Sequence, residues 1–344
     1  MNWTALKPLR FWLPLAFLAT APLGLWLRGG WSFLTLAVTP LALCGLDWAL
    51  GAEADPQAAP DDPGFSALPR GYAVLQIAVT IWTALVISQP RTSLLEAIGA
   101  TLSVGVCAGI FGMLAAHELV HRRRRAERAL GLAALASVGY MHFRIAHIHG
   151  HHLHAATPED PATARRGEGA YRFIVRAVTG QLAEAWRFEA ERLRRRGKAV
   201  IGPSNRMLWY FAVELVVASG FALLGPRVLV FFIGQSVLAV ALLELFNYIA
   251  HYGLVRRAGA DGRVERLGPQ HSWNSSRRMN NWSLFNMGRH ADHHRHPTLA
   301  YQSLESVADA PELPTGYAGA ILLALIPPLW RKIMDPRADA WMAS

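Results

Sequence analysis

Cysteine is almost absent from this chain of 344 residues: Cys44 and Cys107 are the only two. Both lie inside apolar runs and form no CxxC, which excludes a disulfide framework and leaves them as packing residues. Charge is thin as well. Asp, Glu, Lys and Arg make up 17% of the residues against 52% hydrophobic ones, and the mean hydropathy is positive. That balance is too apolar for an ordinary soluble domain, and the apolar residues come in blocks rather than periodically. There is no low-complexity segment and no internal repeat beyond recurring histidine pairs. Histidine itself is confined to two windows. Eight of the fourteen lie between Ala116 and Pro161, and the other six between His251 and His296.

The apolar blocks read as membrane spans, each of which needs about 20 residues. Six are expected: 11–26, 31–50, 72–87, 94–116, 207–224 and 228–249. The basic start, with Lys7 and Arg10 ahead of an apolar run, superficially resembles a signal peptide. No small-residue cleavage site followed by a soluble domain is evident, so an uncleaved first span is expected. Two further apolar stretches fall short of spans. Ala129–Phe143 reads as a buried or interfacial helix, and Leu322–Trp330 is broken by Pro327 and Pro328. The segment Gly51–Arg70 is polar, with Asp55, Pro60, Asp61, Asp62 and Pro63, and reads as irregular.

Arginine placement orients the spans. With the N-terminus in the cytoplasm, the cytoplasmic segments hold Lys7, Arg10, Arg122 to Arg125, Arg192–Lys198, Arg256 and Arg257. The far side keeps only Arg28, Arg91 and Arg227. The net charge of +10 then follows from topology, and nucleic acid is not an expected partner. The chain reads as one all-α multi-pass domain over 1–344 in a bacterial-type cytoplasmic membrane, with both termini on the cytoplasmic side. Two cytoplasmic regions, 117–206 and 250–344, follow the fourth and sixth spans, so both histidine windows arrive at one membrane face. No histidine is expected within the spans.

Clustered imidazoles repel once protonated, and the usual reason to gather neutral ones is a metal. His117 and His121 are i, i+4 and share a helix face. His147, His151 and His152 repeat that spacing with an extra neighbour, and His290, His293 and His294 offer i, i+3 and i+4. With His251, nine imidazoles stand in pattern, far too many for one four-coordinate zinc and suited to two metal ions. His142, His149, His154, His271 and His296 stand off the pattern and read as non-ligands. Glu118, Asp160, Glu244 and Asp292 are the nearby acids able to orient an imidazole. Asp292, between His290 and His293, is the strongest of them. Glu244, two turns before His251, reads as snorkelling or paired with an arginine, and Arg289 as holding a carboxylate rather than touching metal. Between the windows, Gly167–Lys198 reads as a basic amphipathic helix with Ile174, Val178, Leu182 and Trp186 at i+4 steps. Such a helix suits an anionic membrane surface or an acidic partner protein.

The motifs resemble those of the membrane-bound alkane hydroxylases. HELVHRR is similar to their HExxHK/R box, and AHIHGHHLHAATPEDPA to their EHxxGHHxxVATPxDPA box. LELFNYIAHYGL resembles NYxEHYGL, and GPQHSWNS with MGRHADHHRHPTLAYQSL resembles the final HSWNS and LQRHSDHHxHPxRxYQ stretch. The matches run in order from about Ala116 to Leu304. The wider group takes in xylene- and cymene-type methyl hydroxylases and, more distantly, acyl desaturases. The resemblance implies six transmembrane helices and a non-haem di-iron centre, with rubredoxin or a ferredoxin-type protein and its NAD(P)H-dependent reductase as electron source. By motif position its iron ligands are His117, His121, His147, His151, His152, His251, His290, His293 and His294. Ala146 and Ala250 stand where the alkane hydroxylases usually place glutamate, and Met287-Gly288 replaces Leu-Gln. Those departures leave the metal centre intact and the n-alkane specificity open, with an aryl-methyl group as the alternative target.

The expected reaction is hydroxylation of a terminal methyl group on a hydrophobic substrate that enters from membrane lipid. A desaturase with the same iron chemistry is the near rival. A zinc protease using Glu118 as base leaves seven patterned histidines idle. A metal transporter needs ionisable residues within its spans. No fused rubredoxin is present, because that needs four paired cysteines; a separate donor is required, and the basic cytoplasmic surface suits an acidic one.

Overall fold

The computed structural model describes residues 7–53, 63–259 and 263–343. Its regular elements are helices, and among the described residues β-structure is limited to three isolated bridges. The apolar blocks become α1 (Leu13–Leu27), α2 (Leu34–Leu50), α3 (Pro63–Ile87) and α4 (Leu94–Cys107). A π-turn, Ala108–Gly112, carries α4 directly into α5 (Met113–His121). After α6 (Arg125–Ala136) come the one-turn α7 (Phe143–Ile145), a second π-turn (Ala146–His151) and the one-turn α8 (His152–His154). The long α9 (Ala170–Arg195) precedes α10 (Arg206–Leu223) and α11 (Pro226–His251). The chain closes with α12 (Arg278–Ser283), α13 (His290–Arg295), α14 (Tyr317–Ala324) and α15 (Pro327–Ala343).

Six helical stretches are long and apolar enough to cross a membrane: Arg10–Leu27, Gly29–Leu50, Gly64–Ile87, Leu94–His121, Arg206–Leu223 and Pro226–His251. Three spans run well past the bounds read from the sequence, for one reason: helix continues wherever the backbone can keep its bonds, whether or not the side chains stay apolar. Arg70 therefore lies inside α3, and the segment read as irregular up to Arg70 is helical from Pro63; its Asp55 to Asp62 portion lies outside the described residues, as do the first six residues. Likewise α4–α5 and α11 run on past their apolar stretches, so His117, His121 and His251 ride on the last turns of spanning helices instead of beyond them.

Local chemistry explains the ends. Ser93 and Glu96 form a capping box that starts α4, satisfying two otherwise orphan N–H groups. Gly225, at φ +119°, makes the reversal before Pro226 opens α11. The stretch Leu322–Trp330 is broken as its prolines suggest: α14 ends at Ala324, and Pro327 and Pro328 begin α15, where a missing N–H costs nothing. The stretch Ala129–Phe143 supplies α6, whose Gly131, Ala134 and Leu135 are buried, and then turns without spanning.

Helix α4 packs along α11 through small residues. A Cβ on Gly109 would stand 2.8 Å from Leu242 Cβ and 2.9 Å from Ala239 Cα, and one on Gly105 2.9 Å from Leu238. Phe17 of α1 stacks on Phe111 at 5.3 Å. At one end of the bundle Arg28 pairs with Glu96 at 3.2 Å and Arg227 donates to the Thr92 carbonyl at 2.7 Å. The opposite end carries the histidines.

Candidate metal centre

Three structural pieces deliver the imidazoles. The end of α4–α5 brings His117 and His121, the π-turn with α8 brings His147, His151 and His152, and α11 with α13 brings His251, His290, His293 and His294. Their ligand atoms gather into two groups, each within 4.8 Å internally: His117, His121, His147, His152 and His293 in one, and His151, His251, His290 and His294 in the other. All nine residues in the expected pattern, and none of the five outside it, enter these groups.

The π-turn sets the division. An i, i+4 pairing of His147 with His151 is what an α-helix gives; in the wider π register the i+5 neighbour comes into line instead. His147 Nε2 is thus 3.0 Å from His152 Nε2 in the five-membered group, while His151 turns into the other. His293 and His294, adjacent on α13, diverge in the same way.

Distances within the groups match ligands sharing an ion. Nε2 of His251, His290 and His294 form a triangle with edges of 3.1, 3.0 and 3.1 Å. Imidazoles bound at about 2.1 Å on perpendicular axes stand about 3.0 Å apart. In the five-membered group His117 Nε2 is 2.8 Å from His147 Nε2, and His121 Nε2 is 3.3 Å from His152 Nε2. Hydrogen bonding does not explain the triangle. His251 Nδ1 is 3.0 Å from the His271 carbonyl, which only accepts, so the His251 proton is on Nδ1 and its Nε2 presents a lone pair. His151 is set alike: Nδ1 donates to Asp160 Oδ2 at 2.9 Å, leaving a buried Nε2 with no hydrogen-bond partner. His293 Nε2 is also buried without one. The donor set fits a cation that takes nitrogen ligands.

Electrostatics keep it ready. Burial, with the neighbouring imidazoles adding to it, holds His147, His152, His290, His293 and His294 well below the usual histidine range, so they are neutral at pH 7. Burial pushes the Asp160 carboxyl up, but His151, the Thr163 hydroxyl and the Ala162 N–H together hold it below its ordinary value, so it is an ionised acceptor.

The other polar expectations divide. Asp160 orients an imidazole. Asp292 accepts from the Glu305 N–H at 2.9 Å and sits 4.0 Å from His296 Nε2, so it braces the loop after α13. A residue between i and i+3 on a helix points away from the face they share, which is why position alone misled. Glu118 pairs with Arg122 at 2.6 Å and accepts from Tyr301 N–H at 3.3 Å. Glu244 neither snorkels nor meets an arginine: it is fully buried and accepts from the Tyr140 hydroxyl at 2.9 Å and the Asn247 amide at 3.2 Å. Arg289 holds a carboxylate, that of Glu53 at 2.9 Å. Ala146 and Ala250 are fully buried.

Sequence reasoning missed several contributors. Phe143 stacks on His147 at 4.8 Å and Phe246 meets His290 edge-on at 5.5 Å, flooring the two groups with aromatic rings. His271, discounted as a ligand, serves through its backbone carbonyl; its ring is tied to Glu265 at 3.1 Å and to the Gly268 N–H at 3.0 Å. Its place in HSWNS was the available signal. Between α2, α9, α11 and α14 runs an apolar groove of about 500 Å³, walled by residues including Leu43, Ile110, Leu242, Leu245, Ile321 and Leu325.

Six membrane-length helices with nine imidazoles converging at one end define a multi-pass membrane protein with a histidine-rich metal site. The family model described as "Fatty acid desaturase" matches residues 93–321. Alkane 1-monooxygenase 1 of Pseudomonas aeruginosa is 39% identical, covering 98% of this chain and 93% of its own. Alkane 1-monooxygenase of Ectopseudomonas oleovorans is 43% identical over 80% of this chain and 67% of its own. The xylene/toluene monooxygenase hydroxylase component of Pseudomonas putida is 31% identical over 97% and 89%. The chain belongs to the alkane 1-monooxygenase family, within the fatty acid desaturase superfamily, and is a hydroxylase-type oxidoreductase.

Proposed function

We propose that this protein hydroxylates the terminal methyl group of an n-alkane in the cytoplasmic membrane, with the balance RCH₃ + O₂ + 2e⁻ + 2H⁺ → RCH₂OH + H₂O. The observation that carries the reading is the pair of imidazole groups, closely apposed and floored by aromatic rings beside an apolar groove. The nine histidines would hold two iron ions, five imidazoles on one and four on the other. Bound there, the iron pair would supply the reductive activation of O₂. The chain's own residues fix geometry: Asp160 and the His271 carbonyl aim His151 and His251. The groove, lined by aliphatic side chains and by Tyr171, whose hydroxyl donates to the Leu325 carbonyl at 2.9 Å, would take up an apolar chain from the bilayer.

Electrons would come from a separate rubredoxin or ferredoxin-type donor with its reductase, met at the cytoplasmic face. The excess of arginine on the side that bears the site supports that orientation. An aryl-methyl substrate is the second reading, favoured by Ala146 and Ala250 in place of the usual glutamates and by the xylene/toluene relative. The test is iron and zinc content per chain of the detergent-purified protein, followed by turnover of dodecane and p-xylene with a rubredoxin donor. About two irons and 1-dodecanol support the proposal. An alkene product would favour desaturation, and one zinc without iron would sink the oxygenase reading.

A further inference from the structure

A hollow of about 140 Å³ lies at the end of α2, at the same end of the bundle as the histidines, and reaches across to α12 and α14. Its walls include Cys44, Asp47, Trp48, Arg277 and Thr315. Trp48 is 86% exposed, in the last turn before α2 stops at Leu50. An exposed tryptophan at the end of a spanning helix marks the level of the lipid head groups. The hollow therefore lies at the boundary between lipid and water.

Two opposite charges share it without meeting. Asp47 and Arg277 both line the hollow, yet no ion pair joins them: Arg277 Nη1 reaches only the Asp47 backbone carbonyl, at 3.5 Å. Asp47 Oδ1 accepts from the Asn280 N–H at 2.9 Å, whereas Oδ2 has no donor among the described residues and is not fully buried. Gly316 makes room for that oxygen, since a Cβ there would collide with it. The Glu312 carboxylate is held by the Ser276 N–H at 3.2 Å and hydroxyl at 2.5 Å, leaving the Arg277 guanidinium without an acid. Asp47 is 6% exposed, and a carboxylate oxygen left unmet there is costly unless a cation supplies the missing bond.

We propose that this hollow binds the head group of phosphatidylethanolamine, its ammonium on Asp47 Oδ2 and its phosphate on Arg277. The acyl chains leave along α2, where Leu41, Cys44 and Trp48 fall at i, i+3 and i+7 on one face and Leu41 is 74% exposed. The chemistry selects the class. A primary ammonium brings three N–H donors to a carboxylate that lacks one, and Thr315, whose hydroxyl donates to the Gly316 carbonyl at 3.0 Å, keeps lone pairs for the same group. A choline head group carries no N–H. An anionic head group satisfies Arg277 and leaves Asp47 unmet. Bound there, the lipid bridges α2 to the segments on either side of α13, which carries three of the imidazoles.

The test uses the purified full-length protein in phosphatidylcholine nanodiscs with rising fractions of phosphatidylethanolamine or phosphatidylglycerol. Cys44 is the reporter: it lines the hollow, and the other cysteine, Cys107, is buried. Phosphatidylethanolamine should slow N-ethylmaleimide labelling of Cys44 at a mole fraction about tenfold below that required of phosphatidylglycerol, the ratio expected of one charge-assisted hydrogen bond. Asp47→Asn should erase the difference between the two lipids, and Arg277→Gln should abolish protection by both. Where Asp47→Asn does not fold, Cys44→Trp fills the hollow without removing either charge, and native mass spectrometry should show the retained phosphatidylethanolamine lost. Equal protection by both lipids, protection that survives Arg277→Gln, retention unchanged in Cys44→Trp, or equal protection by soluble phosphoethanolamine, which lacks the chains, overturns the proposal. Neither metal nor turnover enters the measurement, so its outcome is independent of the reaction assigned above.

Discussion

Asp160 Oδ2 stands 2.9 Å from His151 Nδ1, and both side chains are buried. The contact fixes the tautomer of a histidine that belongs to the four-membered imidazole group, while its neighbour His152 belongs to the five-membered one. The carboxylate also accepts from the Ala162 N–H and the Thr163 hydroxyl, locking the turn that follows α8. Asp160→Ala is expected to weaken metal binding at the four-histidine group by about 10- to 100-fold, as losses of such orienting partners do. Metal titration should then show one weakened site and one intact site. Equal weakening of both would mean that the turn as a whole had collapsed.

Glu118 occupies the position of a general base in the HExxH pattern, yet its contacts are with Arg122 and the Tyr301 N–H. Glu118→Gln is expected to keep its metal and its activity, at a stability cost of about 1–2 kcal/mol from the weakened bond to Arg122. His290→Ala should abolish activity. The reverse pattern, loss in Glu118→Gln and survival of His290→Ala, is what hydrolysis at a single zinc would produce.

Glu189 links α9 to the start of α10. It accepts from Arg192, from the Arg206 side chain and from the Arg206 N–H at 2.7 Å. Burial raises its pKa, but these donors outweigh it and bring the carboxyl from 4.5 to about 2. A folded pKa below the unfolded one contributes stability above the unfolded value and loses it as pH falls through the folded one. The contribution should be complete above pH 4.5 and gone near pH 2. Acid unfolding monitored by circular dichroism should therefore show a shallower pH dependence across that window in Glu189→Gln.

Gly109, in the π-turn joining α4 to α5, lies against α11 at the level of Ala239 and Leu242. Gly109→Ala places a methyl group within 2.9 Å of backbone as well as side chain, so the helices must part. A loss of about 1–3 kcal/mol is expected, read as a lower midpoint in a thermal scan in detergent. His117 and His121 follow on α5, so metal retention should fall with it.

Sidedness is open to direct test. On a Cys44→Ser background, whose remaining Cys107 is buried, cysteines introduced one at a time at the exposed positions Arg123 and Arg91 should differ in intact cells. A membrane-impermeant maleimide should reach the cysteine at 91 and leave the one at 123 unmodified. The opposite result would place the imidazole groups outside the cytoplasm.

The chain's composition and spacing determined a good deal alone. Apolar blocks of membrane length can satisfy their backbone in lipid only as helices, so six spans followed from hydropathy, and histidine spacing marked the same nine residues that the fold gathers. Tertiary structure alone decided their division. His151 and His152, like His293 and His294, are adjacent in sequence yet enter different groups, because consecutive helical side chains point in different directions and the π-turn resets which ones align. No local pattern signals a π-turn. Nor does local pattern tell Asp160 from Asp292: one reaches an imidazole and the other a loop N–H, a distinction set by long-range placement of backbone. The same holds for Glu53 on Arg289 and for the His271 carbonyl on His251. Spacing reports which residues share a face of one element; which elements then meet is settled by packing between segments distant in sequence.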